Sequence, residues 1–69
     1  MNKEQIKELE ELLDVRFQIA IDTDKRMGNE DIKFLPSNPD YCHYNGMLEI
    51  IEALGLDWRK KNGKHKLFK

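Results

Sequence analysis

The sequence predicts a small α+β domain with two layers, an αββαββ order in which an antiparallel sheet is covered on one face by two helices. Three observations carry this: apolar residues at helical spacing over 6–13 and 44–54, a period-2 apolar run over residues 15–21, and an Asn62-Gly63 pair between two short alternating segments. A chain of 69 residues with 39% hydrophobic residues has material for one thin core. It is expected to be a single domain.

Asn2 followed by Gln5 reads as a helix cap with its reciprocal partner, Glu4 suits the first turn, and Ile6, Leu9 and Leu13 share a face. These residues predict a helix over 3–14. From there Val15, Phe17, Ile19 and Ile21 alternate with Arg16, Gln18 and Ala20, and three of the apolar four are β-branched, so residues 15–21 are expected to form a strand. The alternative is one longer helix through Phe17 and Ala20, ending at Lys25-Arg26-Met27-Gly28. That helix leaves Leu12, Val15 and Ile19 apolar on its far side, which favours the strand.

Residues 22–31 are polar and contain Gly28-Asn29, so they read as a loop leading to a second strand over 32–35 that stops at Pro36. Asn38 then caps a helix with Pro39 at its first position. Tyr44, Met47, Leu48, Ile51 and Leu54 fall on one face of it, with Asn45, Glu49 and Glu52 on the other. Gly55 followed by Leu56 suits a Schellman-type end, whereas Asn45-Gly46 costs helicity and is a second place where the helix could begin. Finally, Asn62-Gly63 is a favoured type I′ hairpin turn, which sets Trp58 opposite Leu67 and Lys60 opposite His65. A slip of one residue loses the apolar match.

Charge is distributed unevenly. Residues 1–57 hold thirteen carboxylates and six cations, a net of -7, whereas residues 58–69 hold six cations and no acidic side chain. The overall value of -1 conceals this dipolar arrangement. In the expected register Arg59, Lys61, Lys64 and Lys66 project from one hairpin face, Arg59 opposite Lys66 and Lys61 opposite Lys64. Directly opposed like charges destabilise a sheet. Such a patch suits phosphates, and nucleic acid bound through its backbone is the leading functional expectation. The same lysines also protect an edge strand from pairing. An acidic protein partner or a homodimer is the second expectation, with the acidic body and the basic hairpin as complementary surfaces.

The stretch from Met47 through Glu52, Gly55, Trp58, Asn62-Gly63 and His65 to Phe68 resembles the opening helix and hairpin of the HicA-type toxins. That resemblance implies a fold like that of double-stranded-RNA-binding domains and cleavage of mRNA by a histidine in a Gly-Ser-His stretch on the second hairpin strand. His65, after Gly63 and Lys64, is the matching position, and a general acid or base is the role it would carry. Lys64 stands where that family has serine, and residues 1–40 have no counterpart in it. The chain also has the general look of small proteins of phages and conjugative elements.

Other constellations are weaker. Asp22-Thr23-Asp24 opens like a calcium loop, but Met27 and Lys33 stand where that loop needs glycine and glutamate. Cys42-His43 would point about 100° apart on a helix and do not form a nucleophile–base pair. A lone cysteine supplies neither an internal disulfide nor a zinc site, so no metal and no cofactor are expected. Tyr41, Tyr44 and Trp58 could stack bases if exposed, although Tyr44 and Trp58 fall on core-facing positions. No apolar run exceeds Ile19-Ala20-Ile21 and residues 1–15 are too charged for a signal peptide, so a cytoplasmic protein with no membrane partner is expected.

Overall fold

In the computed structural model, residues 2–28 and 37–68 are described. The elements in chain order are α1 (Lys3–Arg26), α2 (Pro39–Ala53), β1 (Asp57–Lys61) and β2 (Lys64–Phe68). The two helices pack on each other, α1 also packs on β2, and both share a core with the two-stranded antiparallel sheet, an α+β arrangement.

α1 starts where the capping residues place it. The Gln5 N–H donates to Asn2 Oδ1 at 2.8 Å, and the Asn2 N–H donates to Gln5 Oε1 at 3.0 Å. The helix does not end at Asp14 but continues for 24 residues. The strand expected over 15–21 is therefore helical, and the αββαββ order loses its first strand. The second expected strand, 32–35, lies outside the described residues, and the loop expected from residue 22 begins only after Arg26.

Burial decides this outcome. Leu13, Phe17, Ala20 and Asp24 recur at steps of three and four and form one buried stripe. Burying a leucine or phenylalanine is worth about 1.5–3 kcal/mol. A β-branched residue in a helix loses only a few tenths of a kcal/mol. Leu12 and Val15 are left in solvent as the consequence. Lys25 and Arg26 occupy the last turn, and Gly28, at φ +87°, donates its N–H to the Lys25 carbonyl at 3.1 Å.

α2 is fastened to the C-terminal third of α1 by its own cap. Asn38 Oδ1 accepts from the Asp40 and Tyr41 N–H groups at 3.0 and 3.1 Å, while Asn38 Nδ2 donates to the Ala20 carbonyl at 3.1 Å. Asn38 is fully buried, and one side chain both starts a helix and ties it to its neighbour. Thr23 Oγ1 adds a hydrogen bond to Asp40 Oδ2 and accepts one from Arg26 Nη2. The helix begins at Pro39 and runs through Asn45-Gly46 without interruption.

At its far end Gly55, at φ +82°, donates to the Glu52 carbonyl at 3.0 Å, and Leu56 donates to the Ile51 carbonyl at 3.2 Å. This is the expected Schellman motif, with Leu56 buried beside Ile51. Leu54, expected on the core face, is 61% exposed instead. It is the cap residue, and the turn over Gly55 swings Leu56 into the place in the core.

The hairpin has the expected register in full. Trp58 pairs with Leu67, Arg59 with Lys66, Lys60 with His65, and Lys61 with Lys64. Asn62 and Gly63 both take positive φ, 54° and 76°, as a type I′ turn requires. Leu13, Phe17, Tyr44, Leu48, Ile51, Leu56 and Leu67 form the core cluster, so both helices and β2 contribute to it.

Candidate nucleic-acid interface

The hairpin presents two chemically opposite faces because side chains alternate along a strand. On the face turned from the helices, Arg59, Lys61, Lys64 and Lys66 are all exposed. Lys64 reaches Asp14 Oδ2 at 4.0 Å but its side chain remains 81% exposed, so the pair is a weak surface contact that leaves the ammonium accessible. The Arg59 guanidinium lies 5.5 Å from the centre of the Phe68 ring. Of the remaining tail cations, Lys60 belongs to the inner face, with Nζ 3.9 Å from the centre of the Phe17 ring. Burial lowers its pKa from the ordinary lysine value.

Like charges opposed in this way need an anchor, and α1 supplies it. In a hairpin closed by a two-residue turn, the N–H groups of His65 and Leu67 point away from β1. Asp14 Oδ1 accepts from the His65 N–H at 2.7 Å, and Glu10 Oε2 accepts from the Leu67 N–H at 2.8 Å. The spacings match: four residues of helix rise about 6 Å and two residues of strand advance about 6.8 Å. Two carboxylates one turn apart therefore serve as a substitute strand along the outer edge of β2.

The His65 ring completes the anchor. Its side chain is 0% exposed, with Nδ1 2.8 Å from Asp14 Oδ1 and Nε2 2.7 Å from the Tyr44 hydroxyl. A carboxylate only accepts, so Nδ1 donates to Asp14, and Nε2 and the Tyr44 hydroxyl share the ring's second hydrogen bond. Tyr44 has its pKa pushed up to about 12, first by burial and then by the nearby Tyr41 and Asp14, so it keeps its proton near neutrality. Phe17, Tyr44 and Trp58 surround the ring.

The four expected anion-contacting residues are thus brought together, and His65 is separated from them. Lys64 and Lys66 flank His65 in sequence but project to the opposite face; Lys64 and the imidazole meet only at the Asp14 carboxylate, and Lys60 is the lysine that shares the inner face with His65. His65 is a buried residue here, not an exposed hairpin histidine. Cys42 and His43 are exposed, Tyr44 is buried, and Tyr41 and Trp58 are half-buried, Trp58 donating to Glu52 Oε1 at 3.2 Å. Asp22, Thr23 and Asp24 are helical and no loop forms there. Among the described residues no group of His, Cys, Asp and Glu is arranged to hold a metal ion.

Glu10 and Asp14 were not singled out from the sequence. The available signal was the register itself, which puts His65 beside Trp58 and Leu67 on the inner face, where a polar ring requires buried partners.

Fold and site together define a small α+β domain whose helical layer braces a cationic hairpin. Neither a protein-family model, nor a curated protein, nor a solved structure matches the chain.

Proposed function

We propose that this protein is a small accessory protein without catalytic activity that binds nucleic acid non-specifically, through phosphate contacts from Arg59, Lys61, Lys64 and Lys66. The observation that carries this reading is the exposure of all four on one hairpin face in like-charge pairs, braced from behind by Asp14, His65 and Tyr44. A bound polyanion relieves the repulsion that the fold otherwise has to sustain. Binding through phosphates releases counterions. Four contacts give a slope of log affinity against log salt of about -3, or roughly a 50-fold loss between about 50 and 200 mM salt. Lys61→Glu with Lys64→Glu is expected to abolish binding of short oligonucleotides at low salt, and an intact affinity would overturn the reading.

A second reading, a protein-interaction or inhibitor module that pairs with another copy or an acidic partner, draws on a different surface. Leu9, Met47, Ile50, Ile51 and Leu54 line an open apolar groove of about 180 Å³, with Ile50 63% and Leu54 61% exposed. Light scattering at low and high salt tests it. A monomer at all concentrations, combined with oligonucleotide affinity, decides for the first reading over self-association.

A further inference from the structure

The outer hairpin face is not purely cationic: the exposed Asp57 and Phe68 lie opposite each other at its open end. Phe68 follows Lys64 and Lys66 in the outward-facing alternation of β2 and is 37% exposed, while its neighbour Leu67 takes the place in the core. An aromatic ring in a row of cations gains nothing from phosphates. Its flat face is suited to an unstacked base, and a guanidinium laid against the ring, as that of Arg59 is, adds a second planar cationic surface beside it. In a duplex the base faces are already stacked on one another and closed to such a ring.

Resting on the phosphate-binding reading above, we propose that the hairpin's ligand is single-stranded nucleic acid, with Phe68 as the stacking platform for one base and Arg59, Lys61, Lys64 and Lys66 following the backbone. Phosphate contacts supply most of the affinity and its salt dependence. Phe68 supplies the preference for strands that carry accessible bases. Recognition stays indifferent to sequence, because every base has a π face.

The test uses the full chain and three end-labelled probes of about twelve units: a thymidine strand, an abasic strand with the same phosphates, and a duplex. Fluorescence anisotropy at low salt is expected to show the thymidine strand bound roughly tenfold more tightly than the abasic strand. Phe68→Ala removes that preference and leaves the abasic affinity and the salt slope unchanged, whereas Phe68→Tyr retains it. Circular dichroism confirms that each variant is folded, as expected for an exposed position. Equal binding of all three probes by the parent protein, or a preference that survives Phe68→Ala, overturns the stacking role and leaves phosphate binding standing. Binding of none of the probes overturns both.

Discussion

The two faces of the terminal hairpin are stabilised in opposite ways. The inner face holds Leu67, Trp58, Lys60 and a histidine with both ring nitrogens partnered, and the outer face holds two pairs of directly opposed cations with Asp57 and Phe68 beyond them. A strand five residues long cannot satisfy both by itself. The inner face supports the outer one: the contacts of β2 with α1 and with Tyr44 of α2 offset the repulsion between the opposed cations. Charge in this protein is therefore placed against local stability, on a surface that the rest of the fold is arranged to brace.

Changes to the inner face should have the largest effects. Leu67→Ala is expected to cost about 3 kcal/mol, most of the stability of so small a domain, and to leave a largely unfolded chain at 37 °C by circular dichroism. Lys66→Ala, one residue away on the other face, should leave the melting curve almost unchanged. Equal effects from the two would remove the distinction between the faces.

Asp14→Ala comes next. It takes the acceptor from the His65 N–H and from Nδ1 together, for an expected loss of about 2 kcal/mol in urea unfolding. Asp14→Asn keeps an oxygen near one donor and should cost about half as much. If the anchor works as described, oligonucleotide affinity falls in both variants only to the extent that the folded fraction falls.

Tyr44→Phe removes one hydrogen bond from a buried ring nitrogen and should cost about 1 kcal/mol at neutral pH. Its pH dependence is more telling. The folded-state pKa of Tyr44 is raised from 10.0 to about 12, so its stabilisation is complete below pH 10 and is lost as pH rises towards 12. The parent should lose stability across that window more steeply than Tyr44→Phe, and parallel curves would show that the phenol is not held in this way.

The smallest effect has the opposite sign. Lys66→Glu places a carboxylate opposite Arg59 and is expected to stabilise the fold by roughly 0.5 kcal/mol while reducing oligonucleotide affinity about tenfold. A variant that gains stability and loses binding would separate the two faces most cleanly. One that loses both would place Lys66 among the structural residues.

Much of the hairpin was legible beforehand because its determinants lie within a dozen residues. Asn62-Gly63 adopts positive φ at both positions, and the apolar match of Trp58 with Leu67 selects one register. The caps at Asn2, Asn38 and Gly55 were legible for the same reason. Residues 15–21 were not. Their apolar positions fit period 2 and period 3.6 alike, and intrinsic propensities differ by too little to choose between them.

What the sequence alone determined, then, is local: where both helices start and where α2 stops, how the hairpin turns, and that Arg59, Lys61, Lys64 and Lys66 share a face. Only the tertiary structure decided that α1 runs on to Arg26, since that depends on Leu13, Phe17 and Ala20 finding α2 and β2 to pack against. The same holds for the anchor behind the cations. Asp14 and His65 are 51 residues apart in the chain, and no local pattern reports a hydrogen bond that forms only when helix and strand are brought within 3 Å of each other.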